Sequence, residues 1–169
     1  AEAVGVPWVQ ADLANPDGWR AAVVQAAGEL GGIDGLVNNA VSVAGGPAPL
    51  AEQNLADFSA TLAMNGTSVL SATQAAAELM SGPGGVVNIA SLQGTNASPG
   101  LYQYGAAKAA VIHLTKSLAL ELAPRHIRVN AVAPAMTLTP AVTRGVSAER
   151  RAASIAAIPL GYAGEPEDI

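Results

Sequence analysis

The chain has 169 residues, enough for one sizeable core; half of it is hydrophobic and only 12% is charged. The net charge of −5 argues against a nucleic-acid footprint, and the absence of cysteine rules out a disulfide framework or a thiolate metal site. The two histidines, His113 and His126, stand apart, so no metal is expected; without a signal peptide or a long apolar run, a cytoplasmic protein with no membrane partner is expected.

Residues 4 to 11 read as a short strand ending at Asp12-Leu13. Asn15-Pro16 then opens a helix, as N-cap and first helical residue. Trp19, Val23, Ala26, Ala27 and Leu30 form its apolar stripe, and Gly31-Gly32 ends it. Residues 33 to 38 form a second strand, so the order strand, helix, strand predicts a βαβ unit in a parallel sheet. Asn38, Asn39, Ala40 and Val41 close that strand, either as a polar end where a ligand approaches the backbone or as a simple Asn-rich turn.

A Gly/Pro/Ala loop over 42–51 precedes a long helical stretch of about 54 to 80, buried through Leu55, Phe58, Leu62 and Val69. Asn65-Gly66 interrupts it, as a tolerated irregularity or as a kink that exposes a backbone group. Residues 81–85 break the chain, 86–90 form a third strand, and Ser91 sits at its end. A helix of about 101 to 123 follows, with a stripe of Ala107, Val111, Leu114, Leu118 and Leu122 and a stop at Pro124. Residues 127–132 make a fourth strand, and 141–169 read as helix and loop.

Within the last long helix, Tyr104 and Lys108 lie four apart, one turn apart on one face. A neighbouring ammonium favours a phenolate, so this pair is a candidate general acid/base. The alternative is a packed ring beside a solvated amine.

Around that pair the motifs resemble the short-chain dehydrogenase/reductase family, in order and over nearly the whole chain. Asp12-Leu13 is similar to the family's adenine-contacting acidic pair, and Asn38-Asn39-Ala40-Val41 to its Asn-Asn-Ala-Gly motif. Asn65, Ser91, Tyr104 and Lys108 match its catalytic tetrad. Arg128-Val129-Asn130 with Pro134-Ala135, then Thr137 and Thr139, resembles its Arg-Val-Asn, Pro-Gly and carboxamide-binding positions; Gly164 to Ile169 resembles its Gly-x-Pro-Glu-Asp-Ile segment.

The resemblance implies a Rossmann-like, doubly wound α/β parallel sheet with helices on both faces. It implies hydride transfer between NAD or NADP and a carbonyl or secondary alcohol. Tyr104 would be the acid/base, Ser91 would hold the reacting oxygen, and Lys108 would bind the nicotinamide ribose and promote the phenolate. The backbone carbonyl of Asn65 would hold a water. Cofactor contacts would come from Asp12, Leu13, Asn38, Asn39, Ala40, Tyr104, Lys108, Pro134, Ala135, Thr137 and Thr139. Substrate contacts would come from Ser91, Gln93 and Tyr104, with Leu101 and parts of 138–160 lining the pocket. It also implies a homodimer or homotetramer paired through the two long helices.

Val41 and Ala135 depart from the family by replacing glycines. No Gly-x-x-x-Gly-x-Gly phosphate loop occurs in the chain. By the family's order, its first two strands and its last are absent. Residues 1–169 are therefore expected to be one partial domain, a fragment without the glycine-rich loop and the C-terminal end. The residue that selects NAD or NADP lies outside it. Two functions remain open: a nicotinamide-dependent oxidoreductase, or an inactive truncated fragment serving as a packing or interaction module.

Overall fold

The structure, a computed structural model, describes residues 5–12 and 14–169. Val4 and Leu13, from the first expected strand and the acidic pair, lie outside the described residues.

Helix α1 spans Pro16–Leu30. As its sequence predicts, Asn15 Oδ1 accepts from Gly18 N at 3.1 Å, and Gly31 closes the helix with φ 75°. Strand β1, Gly35–Asn38, follows. Helix α2, Leu55–Leu62, runs through a π-helical turn at Ala63–Thr67 into α3, Ser68–Leu79. The interruption predicted at Asn65-Gly66 is thus a π-turn inside one continuous helix. Strand β2 is Gly84–Ile89, α4 is Tyr102–Leu122 and β3 is Ile127–Val132. Two short helices, α5 at Pro140–Gly145 and α6 at Ala148–Ala156, complete the chain with a 3₁₀ turn at Pro166–Asp168.

The strands form a parallel sheet in the order β1-β2-β3. Its register places Leu36 beside Val86 and Val86 beside Val129, one step below Asn38, Asn88 and Ala131. Because side chains alternate along a strand, these residues share one face. That face carries the core: Val23 of α1, Ala72, Ala76 and Met80 of α3 and its end, and Leu118 and Leu122 of α4, against Val86, Ile127 and Val129. Small alanines on α3 let α1 pack closely on it. One layer of the expected doubly wound arrangement is therefore present. Among the described residues the other face is open, with Val37 63% exposed and Arg128, Asn130 and Val132 also facing outward.

Three expectations are corrected. Residues 5–11 form no strand, and Val6 and Trp8 are exposed. A strand exists through its hydrogen-bonded neighbour, and none of the three strands pairs with this segment. Leu30 and Leu55 are 64% and 80% exposed, although each fits its helix's stripe. Each sits at a helix end, where the stripe has run past the surface it packs on.

Candidate functional site at the carboxyl ends of the strands

The resemblance gathers its residues at the carboxyl ends of β1, β2 and β3, and the structure gives that end its shape. Ser91 directly follows the β2 rim. Ala90 N bonds to Val132 O at 2.8 Å and Leu92 N to Pro134 O at 2.9 Å, so the Ser91 and Pro134 segments run side by side. Ser91 is buried, and its Oγ accepts from Gln93 N at 3.2 Å. That bond occupies a lone pair and leaves the hydroxyl proton for an incoming oxygen.

Gly94 brings this loop onto α4. A Cβ there would sit 2.8 Å from the Lys108 carbonyl carbon and 2.8 Å from Ile112 Cδ1, so only glycine lets the two backbones approach. Lys108 is itself buried at 3% exposure, and its Nζ donates to Ile89 O at 2.6 Å. Burial holds its pKa below the ordinary value of 10.5. The ammonium lies 5.9 Å from the centroid of the half-buried Tyr104 ring, so helical spacing has put the two on one face as predicted.

Asn65 sits in the π-turn with its side chain 2% exposed. Its Nδ2 donates to Thr61 O at 2.7 Å, one turn back, and to Ser42 O at 2.6 Å. The resemblance concerned only the backbone carbonyl of Asn65; the side chain has a separate job, tying the loop after β1 to the helix. Two residues that sequence reasoning passed over share that job. Thr61 Oγ1 accepts from Ala44 N at 3.0 Å, and Gln103 Nε2 points to Gly46 O at 3.3 Å. Their only sequence signal is polarity on an otherwise buried helix face.

Asn38 reaches sideways to Asn88 Oδ1 at 2.8 Å and to Thr73 Oγ1 at 3.1 Å. Asn39 and Ala40 are exposed beyond it, as is Val41. Thr137 forms an isolated parallel bridge with Gly164, and Ala135 is exposed. The Thr139 hydroxyl caps α5, accepting from Val142 N at 3.3 Å. Asp12 is exposed and accepts from Ala14 N. Gln93 lines a cavity of about 570 Å³ with Tyr102, Gly105, Ala106 and Ala109. Of these, Tyr102 and Ala106 lie on the helix face opposite Tyr104. A larger cavity, about 1010 Å³, lies at the amino ends of the strands among Gly35, Gly84, Ile127 and Arg128. Neither of these two cavities is lined by Ser91, Tyr104 or Lys108.

A family model described as "Enoyl-(Acyl carrier protein) reductase" matches residues 1–169. The chain belongs to the short-chain dehydrogenase/reductase family. It is 38% identical to cis-4-hydroxycyclohexanecarboxylate dehydrogenase of Sinomonas cyclohexanicum over 164 residues, 96% of this chain and 65% of that one. A short-chain dehydrogenase of Burkholderia cenocepacia J2315, solved in complex with NADP, superposes with TM-score 0.86 at 36% identity, covering 99% of this chain and 68% of that one. A 7α-hydroxysteroid dehydrogenase complexed with NADH and 7-oxo glycochenodeoxycholic acid superposes with TM-score 0.87 at 30% identity, covering 95% and 62%. The chain thus spans somewhat under two thirds of the curated dehydrogenase it matches. No helix among the described residues is long and apolar enough to cross a membrane.

Proposed function

We propose that this short-chain dehydrogenase/reductase chain carries the catalytic half of an NAD- or NADP-dependent oxidoreductase acting on a carbonyl or secondary alcohol. The observation that carries the reading is the buried Lys108 ammonium beside the Tyr104 ring, at the rim where Ser91 keeps a hydroxyl proton to give.

In the reductive direction the Tyr104 phenol gives its proton to the carbonyl oxygen, and in oxidation it takes one from the alcohol. Ser91 donates to the same oxygen and orients it. Lys108 stabilises the phenolate left behind, and its low exposure strengthens that interaction by excluding solvent. The backbone carbonyl of Asn65 holds a water that links Lys108 to solvent. These residues fit the nicotinamide-ribose end of a dinucleotide: a buried cation at the strand ends, with Asn39, Ala40 and Thr137 along the same rim. A nicotinamide nucleotide held there would supply or accept the hydride. No Gly-x-x-x-Gly-x-Gly loop is among these 169 residues, so no contact to the pyrophosphate is assigned to them.

The names of the relatives support a cyclic secondary alcohol or ketone that also carries a carboxylate, of the cyclohexane or bile-acid kind, as the substrate class. A cytoplasmic setting and pairing of copies through α2–α3 and α4 belong to the same reading; light scattering that finds only monomers would remove the pairing. The function itself is tested with the natural full-length protein. Nicotinamide absorbance is followed with cis-4-hydroxycyclohexanecarboxylate and 7α-hydroxy bile acids, beside Tyr104→Phe. The expected result is turnover that the variant loses by about 10²- to 10⁴-fold. Undiminished turnover in Tyr104→Phe removes the phenol from the proton transfer.

A further inference from the structure

Thr115 lies seven residues beyond Lys108, two turns along the same face of α4, and no role above uses it. It is buried at 6% exposure, and its Oγ1 donates to Val111 O at 2.8 Å while accepting from Asn88 Nδ2 at 2.9 Å. Asn88 is fully buried at the centre of the sheet, and its Oδ1 takes the Asn38 amide. A continuous hydrogen-bonded chain thus crosses the core from Thr73 on α3 through Asn38 and Asn88 to Thr115 on α4. Around it stand Ala72, Ala76, Val86 and Val111, an apolar setting where an unpartnered amide is costly. The arrangement therefore tolerates little sliding of one element past another.

A second tie joins the same two elements. Lys108 Nζ bonds to Ile89 O, the residue after Asn88. Lys108 and Thr115 are about 10 Å apart along the helix axis at 1.5 Å per residue. One bond between a strand and a helix leaves the helix free to roll or slide about it. Two bonds at different heights remove both freedoms. Ser91 lies three residues beyond Asn88, and Tyr104 lies one turn before Lys108.

We propose that Thr115 is a positioning residue: with Asn88 it sets the height of α4 against β2, and thereby the separation of the Tyr104 and Ser91 hydroxyls. The inference rests on the roles given to those two hydroxyls above. Thr115→Val keeps the side chain's shape and removes its hydroxyl, and Thr115→Ser restores the hydroxyl. Crystal structures of the natural protein and of both variants read the Ser91 Oγ to Tyr104 Oη distance. Kinetics with cis-4-hydroxycyclohexanecarboxylate and a nicotinamide nucleotide read kcat and KM. The expectation is a shift of about 1 Å and a loss of kcat of about 10²-fold in Thr115→Val, with KM little changed and with Ser restoring both. An unmoved distance in Thr115→Val overturns the proposal, whatever happens to its thermal stability. So does a Ser variant as poor as Val, because then the methyl and not the hydroxyl was needed. Should Thr115→Val fail to fold, the double variant Asn88→Leu/Thr115→Val removes both ends of the bond and is read the same way. Full turnover in Tyr104→Phe would instead sink the functional reading, while the measured distance still judges Thr115.

Discussion

The seam between β2 and α4 and the tail from Met136 to Ile169 are held in opposite ways. The seam is closed by buried side-chain bonds, Asn88 to Thr115 and Lys108 to Ile89 O, and by a glycine contact at Gly94. The tail's two helices bury none of their residues. They are anchored at their base, where Leu138 N bonds to Gly164 O at 2.8 Å and Gly164 N to Met136 O at 2.9 Å. They are braced to each other by Arg151, whose Nη1 donates to Thr143 O at 3.1 Å and to Val146 O. The groups that the proposed mechanism brings to one reacting oxygen sit on the seam. The segment expected to line the substrate pocket sits where movement is inexpensive.

The contrast is sharpest in turnover. In the natural protein Ser91→Ala is expected to lower kcat by about 10²- to 10³-fold, as loss of one donor to a reacting oxygen does. Arg151→Ala should act on KM and leave kcat within about twofold, because it alters substrate recognition rather than the reacting geometry. Steady-state kinetics on both variants check this. Equal losses of kcat would erase the distinction between the regions.

Stability comes next. Asn88→Ala removes the bonds to Asn38 and Thr115 and leaves a small void, and should cost about 2–4 kcal/mol in urea unfolding. Thr139→Ala removes only the cap of a short exposed helix and should cost at most about 1 kcal/mol. A larger loss from Thr139 would mean that the tail is part of the cooperative core.

Gly94→Ala should destabilise by about 1–3 kcal/mol, since its methyl meets the Lys108 backbone and Ile112 with no room on either side. Gly145→Ala, at the end of α5 with open space around it, serves as the tail's counterpart and should change the midpoint little. Equal effects would show that the Gly94 contact relaxes freely.

The smallest expected effect concerns pH. Burial lowers the Lys108 pKa, so between its folded value and 10.5 the unfolded chain holds more protons than the folded one. Lys108 therefore opposes folding while it must stay charged, and that opposition fades as pH rises through this window. The stability of the wild type relative to Lys108→Met should improve between neutral pH and pH near 10. A flat difference in urea midpoints across that range would show that the amine is not desolvated as described.

Much of the architecture was legible residue by residue. Ile127–Val132 is a strand where its sequence placed one, Asn15 and Gly31 cap α1, and Asn65-Gly66 marks the π-turn. Tyr104 and Lys108 share a face because four residues make about one helical turn. These features are local: caps, breakers and periodicity act over a few residues, and the chain states them directly. What tertiary structure alone decided is who meets whom at a distance. Asn38 and Asn88 are 50 residues apart, and Asn88 and Thr115 are 27 apart. Gln103 reaches Gly46, 57 positions away. Each of these residues reads in sequence as a polar interruption, and only strand register and helix docking supply its partner. The same cause leaves Leu30 and Leu55 bare and residues 5–11 unpaired, since a stripe or a strand pattern needs a surface to lie against, and neighbours in space are not written in neighbours along the chain.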